Sequence, residues 1–199
     1  MRDLLVITGH GAKHVEAEIE NITGTPWARK LRLQSLYNPL YATMNNCYSL
    51  LLGLPKSNDP IIVINSDDVF DIRILQSVAE PGPTVFFVDN VKQLTEESMK
   101  VYVEANRILR IGKGLDLNTS AGEYIGLARI AAEDIPYLRK ALKDVIVNNP
   151  DGFYEHGFDI MLGQRQIAAI YTDGLKWTEI DTDEDLARAR ELIGKELIE

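Results

Sequence analysis

Short apolar runs alternate along the chain with longer segments whose apolar residues recur at helical spacing. Largely apolar runs occupy residues 4–8, 61–64 and 84–88, and polar, glycine or proline residues bound each of them. Runs of this kind predict strands that are buried on both faces, as in a parallel sheet. Residues 132–147 instead repeat apolar side chains every three or four positions, which predicts an amphipathic helix.

The full pattern predicts the order β-α-β-α-β-α-β, then a hairpin, then β-α-α-β-β-α. Alternating runs at 99–103 and 107–111 form the predicted hairpin. The alternation indicates an α/β fold: a Rossmann-like mixed, mainly parallel sheet with helices on both faces, in a single domain over residues 1–199. The other predicted helices cover 13–22, 44–54, 71–79, 154–162 and a segment opened by a capping box at 182–185, and the other predicted strands cover 31–36, 123–130, 167–171 and 177–180.

Charge and cysteine content limit the partners of the chain. Its 199 residues carry a formal net charge of -9 at pH 7, which argues against a nucleic acid polymer or an anionic membrane as the main partner. The single cysteine, Cys47, can form no intrachain disulfide, and no apolar run approaches the length of a bilayer span. The N-terminus also lacks the features of a signal peptide. We therefore expect a cytoplasmic protein.

Acidic residues cluster at the ends of two predicted strands. The third strand leads into Asp67, Asp68 and Asp71, and the last strand leads through Glu179 to Asp181. Ligands of open α/β sheets bind at the carboxyl ends of strands, and Mg²⁺ prefers one or two carboxylates plus substrate phosphates. Asp67 is therefore predicted to bind Mg²⁺, whereas Asp68 and Asp71 are interpreted as caps of the following helix. For Asp181, a metal ligand and a structural role at the last helix N-terminus are both open.

Four segments stand in a defined order: residues 38–50, 64–67, 123–126 and 177–186. Together they resemble nucleotidyltransferases of the nucleotide-sugar pyrophosphorylase superfamily, and within it the phosphocholine cytidylyltransferase-like branch. The resemblance implies a Mg²⁺-dependent enzyme in which a small phosphorylated alcohol, amine or sugar attacks the α-phosphate of a nucleoside triphosphate. Pyrophosphate leaves, and the transferred group is expected to be cytidylyl.

The resemblance also implies roles for the residues that match the catalytic and nucleotide-binding motifs. Asp67 and Asp181 match the Mg²⁺ ligands, and Lys113 matches a lysine that contacts the substrate phosphate. Lys113 could equally be an ordinary solvated lysine, since glycines flank it. Nucleotide binding is assigned to Asn45, Asn46, Ser49 and Ser66, with helix capping as the alternative for the two asparagines.

Four further residues match positions on the substrate side. Glu123 follows a glycine at a strand start. Tyr154, Glu155 and Asp159 fall where the choline-type branch places aromatic and acidic groups around a quaternary ammonium, a chemistry that suits such a cation. For these three residues a surface helix is the favoured alternative.

The N-terminal segment departs from the superfamily pattern. The superfamily opens with a strand, a Gly-x-Gly-x-Arg loop and a later Pro-Lys pair, whereas this sequence offers Gly9-His10-Gly11-Ala12-Lys13. We interpret this segment as the turn after the family's second strand. The first strand, phosphate loop and first helix would then be absent, which exposes sheet edges and weakens triphosphate binding. A homo-oligomer, a partner chain, a rearranged sheet or a segment outside this sequence is expected to compensate.

Two other functions stay open. A catalytically inactive transferase-like scaffold is favoured by the missing loop, whereas Asp67 and Asp181 together favour the enzyme. A Rossmann dinucleotide binder that uses residues 9–13 is the third alternative, but its glycine pattern is incomplete.

Overall fold

The computed structural model describes residues 3–196, which form two compact units. The first unit comprises the chain up to Asn58 together with Ile135–Met161, and the second comprises Asp59–Asp134 and the chain from Leu162 onward. The single-domain assignment stays a prediction. The strands are β1 Asp3–Thr8, β2 Arg32–Tyr37, β3 Ile61–Ile64, β4 Asp68–Phe70, β5 Val85–Asp89, β6 Lys100–Glu104, β7 Arg107–Gly112, β8 Gly122–Ile130, β9 Ala168–Tyr171 and β10 Trp177–Glu179. The helices are α1 Ala12–Thr23, α2 Asn46–Gly53, α3 Ile72–Ala79, α4 Ile135–Asn148, α5 Tyr154–Leu162 and α6 Asp183–Glu196, with short 3-10 turns at Trp27–Lys30 and Ala132–Asp134.

The first unit contains a parallel pair of strands and four of these helices, α1, α2, α4 and α5. β1 pairs with β2 in register from Asp3↔Arg32 to Thr8↔Tyr37. Leu4 and Leu5 are 38% and 43% exposed, and α1 contains no buried residue. The prediction that residues 4–8 are buried on both faces is therefore wrong. Within residues 3–196, β1 pairs with β2 along one edge, and no strand of its sheet pairs with its second edge.

The second unit contains a six-stranded sheet in the order β3-β8-β5-β9-β7-β6, together with the β4–β10 pair and the helices α3 and α6. Its β5–β9 pair is parallel, whereas β8 runs antiparallel to β3, β5 and β6. The α/β class and the mixed sheet are confirmed, with more antiparallel pairing than simple alternation predicts. β3 lies at the edge of this sheet and buries only Val63 fully, so its predicted burial on both faces is wrong. The fully buried strands are β5 and β8.

Turns and caps follow from local sequence. The hairpin between β6 and β7 is confirmed, and its two-residue loop, Ala105–Asn106, has positive φ at both positions, as a type I′ turn requires. Asp71 caps α3, because its Oδ1 accepts the backbone N–H of Arg73 at 2.9 Å. Across the described residues, no helix has the length and apolar character needed to cross a membrane.

Candidate metal and phosphate site

A short strand pair joins the two acidic segments. β4, which the sequence pattern did not predict, pairs antiparallel with β10, so that Asp68 lies opposite Glu179. The backbone N–H of Ile180 donates to the Asp67 carbonyl at 2.9 Å and extends the pairing. As a result, one carboxylate oxygen each of Asp67, Glu179 and Asp181 lies within 4.8 Å of the others. We call these three residues the acid cluster.

The acid cluster unites the two residues that the sequence assigns to Mg²⁺ and adds Glu179. The Asp181 side chain does not cap α6. Thr182 and Asp185 perform that role, because they exchange reciprocal hydrogen bonds at the start of the helix, as the predicted capping box requires. The sequence alone does not indicate a role for Glu179, the last residue of β10. The pairing of β10 with β4 brings its carboxylate next to that of Asp67.

Electrostatics in the acid cluster favour a cation. Burial, followed by the charges of Asp181 and Asp67, raises the pKa of the Glu179 carboxyl. Carboxylates held this close repel one another unless a positive charge lies between them. Mg²⁺ takes oxygen ligands and keeps positions open for phosphate oxygens, so the donor set fits this ion.

Asp68 lies beside the acid cluster in a different environment. Burial, followed by the charges of Asp67, Glu179 and Asp181, raises the pKa of Asp68 to about 9, which favours its neutral form when no metal ion is bound. Its Oδ2 is buried and accepts or donates no hydrogen bond within the described part of the chain. The interpretation of Asp68 as a helix cap is wrong, because β4 holds it and Asp71 alone performs that role.

Gly126 allows the β3–β4 turn to pack closely on β8. Its φ is +73°, and an added Cβ would lie 2.1 Å from Asp68 Oδ2 and 2.6 Å from Asn65 Nδ2. The backbone N–H of Asn65 donates to the Gly126 carbonyl at 2.9 Å. A side chain at this position would therefore displace the turn that carries Asp67.

A lysine and a tryptophan border the acid cluster. The Lys92 ammonium lies 3.0 Å from Glu123 Oε2 and 4.8 Å from the centre of the Trp177 ring. Trp177 Nε1–H donates to Asp89, which also accepts the backbone N–H groups of Val91 and Lys92. Burial of Asp89 is outweighed by these hydrogen bonds, which hold the pKa of its carboxyl below the usual range. Glu123 is buried at the start of β8.

An open cavity of about 570 Å³ adjoins the acid cluster. Glu179 and Asp181 line it with acidic groups, and Lys92 and Arg188 line it with cations. The cavity therefore combines metal-binding oxygens with positive charges, which is the combination that a metal–phosphate complex requires. The other lining residues are Trp177, Thr178, Asp185, Glu191 and Leu192.

Two further predicted site residues of the second unit lie apart from this cavity lining. Lys113 follows β7, is exposed, and pairs with Glu97 at 3.1 Å. Ser66 is exposed in the turn between β3 and β4, next to Asp67. Their roles toward substrate phosphate and nucleotide stay predictions.

The first unit holds the residues assigned to base recognition. Asn45 caps α2, and its Nδ2 donates to the Asp151 carbonyl at 3.1 Å. Asn46 Oδ1 accepts the backbone N–H of Tyr154 at 3.0 Å, and Ser49 Oγ accepts from Asn38 at 3.0 Å. The capping alternative therefore describes Asn45 correctly, and a role of these residues toward a base stays a prediction.

The helix α5 carries the residues assigned to a quaternary ammonium. Tyr154 and Glu155 are only 3% and 6% exposed, so the surface-helix alternative is wrong for both. Asp159 is half-buried. The Tyr154 ring packs edge-on against Phe158, with 5.1 Å between ring centres. The helix carries an acid and an aromatic ring in sequence, and their role toward a quaternary ammonium stays a prediction.

Comparison with known proteins identifies the fold. No family model matches the chain, and no curated protein matches its sequence. The inositol-1-phosphate CTP transferase from T. maritima superposes with a TM-score of 0.78 at 20% identity, over 98% of this chain and 77% of that one. The CTP:phosphocholine cytidylyltransferase from Streptococcus pneumoniae gives 0.68 at 20% identity, over 96% and 78% of the two chains. A Bacillus anthracis protein described as a glucose-1-phosphate thymidylyltransferase gives 0.69 at 16% identity, over 94% and 74%. The fold is that of nucleotidyltransferases, as the sequence resemblance implies.

Proposed function

We propose that this chain is a Mg²⁺-dependent nucleotidyltransferase that transfers a cytidylyl group from CTP to a small phosphorylated alcohol, amine or sugar. The observation that supports it is the meeting of Asp67 and Asp181 in a cluster whose donor set fits Mg²⁺. The fold adds support, because the compared structures with this fold are named for CTP or thymidylyl transfer.

In this proposal Asp67 and Asp181 hold the ion, with Glu179 as the third candidate ligand. The ion would neutralise charge on the phosphates during transfer. The attacking group is a phosphate oxygen that is already anionic, so the chain need not supply a general base. Its residues instead position the two phosphates, exclude other orientations and balance their charge. Lys113 is proposed to contact the acceptor phosphate.

The compared proteins also suggest which acceptors to test. Inositol 1-phosphate, phosphocholine and glucose 1-phosphate are the acceptors that their names imply. For phosphocholine, α5 carries an aromatic ring and a carboxylate, Tyr154 and Glu155, and this combination of groups suits a quaternary ammonium.

Pyrophosphate release tests the proposal. Each of CTP, UTP, dTTP, ATP and GTP is combined with Mg²⁺ and each of the three acceptors. We expect CTP to support release with at least one acceptor, and Asp181→Asn to abolish it. Asp173→Asn is the matched control, because it removes one charge in an exposed turn outside the acid cluster. Silence across the panel, together with no calorimetric binding of CTP, would leave the scaffold alternative as the better account.

Light scattering tests the accompanying expectation of self-association. β1 exposes Leu4 and Leu5 and pairs along one edge only within the described residues. A second copy or a partner chain over this edge is proposed, and a monomeric solution mass would contradict the homo-oligomer.

A further inference from the structure

Two cationic side chains, Arg188 and Lys92, line the acidic cavity, and they have different partners. The Arg188 guanidinium is bound to Asp185 one turn earlier on α6. Lys92 extends from the segment after β5 and sits between Glu123 and the Trp177 ring. We propose that Lys92 binds a phosphate oxygen of the substrates that the acid cluster receives with Mg²⁺. This inference rests on the proposed function.

The position of Lys92 is fixed from three directions. Its backbone N–H donates to Asp89 Oδ1 at 3.3 Å, its ammonium lies 3.0 Å from Glu123, and the Trp177 face lies 4.8 Å away. Asp89 also holds the Trp177 indole, so one buried carboxylate positions both the lysine and its aromatic platform. Asp89 is thus a positioning residue for Lys92.

The ammonium keeps capacity for another acceptor. An ammonium has three N–H donors, and the Lys92 ammonium forms an ion pair with Glu123 Oε2, an oxygen that accepts no hydrogen bond within the described residues. Half of the Lys92 side chain is exposed, and this exposed side borders the cavity. A lysine held in this way presents an oriented point charge, which suits a phosphate oxygen.

Charge balance explains why the cavity needs Lys92. Glu179, Asp181, Asp185 and Glu191 would repel a free phosphate anion from this cavity. A divalent ion on the acid cluster offsets part of that repulsion. The Lys92 ammonium supplies a further positive charge to the cavity. The alternative is a purely structural role, in which Lys92 only neutralises the buried Glu123 carboxylate. The two interpretations predict different binding behaviour.

Binding measurements without turnover separate these interpretations. Electron paramagnetic resonance measures Mn²⁺ affinity, and calorimetry in Mg²⁺ measures binding of inorganic pyrophosphate and, separately, of inorganic phosphate. In Lys92→Met we expect at least one anion to bind roughly tenfold or more weakly, the size expected for one charge-assisted hydrogen bond. Mn²⁺ affinity should not fall, because the substitution removes a cation beside the acids. Loss for pyrophosphate assigns Lys92 to the nucleotide, and loss for phosphate assigns it to the acceptor.

Two further variants keep the test decisive. Lys92→Arg retains the charge and should keep most of the anion affinity even if Lys92→Met folds poorly. Lys176→Met removes an exposed lysine that does not line the cavity, and it should match the wild type. Unchanged anion binding in Lys92→Met, or an equal loss of Mn²⁺ and anion affinity, would overturn the inference alone. A wild-type protein that binds no Mn²⁺ would overturn the proposed function, and the inference with it.

Discussion

Asp67→Asn should stabilise the metal-free protein and remove its response to Mg²⁺. Asp67 shares the acid cluster with Glu179 and Asp181, with ligand oxygens no more than 4.8 Å apart. At such separations each like-charged pair costs about 1 kcal/mol in a water-like dielectric. That dielectric is appropriate because Asp67 and Asp181 are exposed. Removing the Asp67 charge relieves two such pairs, so we expect a gain of about 1–2 kcal/mol in the free energy of unfolding.

Mg²⁺ should stabilise the wild type and leave the stability of the variant nearly unchanged. For a chain of this size, about 1 kcal/mol shifts Tm by roughly 2–4 °C, so the variant should melt about 2–8 °C above the wild type in EDTA. At Mg²⁺ concentrations of about a hundred times Kd, the wild type should gain about 2.7 kcal/mol, and the variant should gain little. The variant would then be the more stable protein in EDTA, and the wild type would be the more stable protein at high Mg²⁺ concentration.

Thermal unfolding followed by circular dichroism measures both stabilities, in EDTA and over a Mg²⁺ titration. Asp173→Asn is the control for charge removal, since Asp173 has a φ of 50° that asparagine also tolerates. It should follow the wild type in both conditions. An Asp67→Asn variant that melts below the wild type in EDTA, or that keeps the full Mg²⁺ response, would refute the reasoning.

Three further predictions test the surroundings of the acid cluster and the core. Gly126→Ala should lower the free energy of unfolding by about 1–3 kcal/mol, since it combines a strained φ with a contact on Asp68; an unchanged midpoint in urea would contradict it. Burial, followed by the Glu155 charge, raises the pKa of Cys47 to about 11, so iodoacetamide at pH 8 should label Cys47 only after unfolding. Labelling of the native protein at the rate of a free thiol would be inconsistent with this environment. Asp89 has a lowered pKa, so its stabilising contribution is present above the ordinary aspartate pKa and is lost as pH falls through the folded value. The stability difference between wild type and Asp89→Asn should therefore be largest near pH 7 and shrink toward pH 3, and a constant difference in urea titrations would exclude this role.

Element positions could be predicted well from the sequence because each carries a local signal. The apolar run Ile61–Ile64, the helical spacing of α4 and the alternation of β6 and β7 all match the structure. Burial could not be predicted in the same way, because it depends on which strands are neighbours. β1 and β3 both contain apolar runs, yet among residues 3–196 each pairs along only one edge within its own sheet.

The candidate site illustrates the same limit. Acids at strand ends indicated Asp67 and Asp181 from the sequence, since strand ends are where such sheets bind ligands. Glu179 and Lys92 gain their importance from pairing between β4 and β10 and from the Trp177 ring, which are long-range contacts. Among Glu179, Lys92 and Gly126, Gly126 is the one with a local signal. It is a glycine within a buried strand, which often marks a close backbone approach.

Anomalous diffraction from crystals grown with Mn²⁺ and CTP tests the central claim most directly. The account predicts an anomalous peak between the Asp67 and Asp181 carboxylates, about 2.1 Å from an oxygen of each, with nucleotide phosphate oxygens completing the coordination. Bound nucleotide with no anomalous peak at the acid cluster, or a metal held elsewhere in the chain, would contradict it.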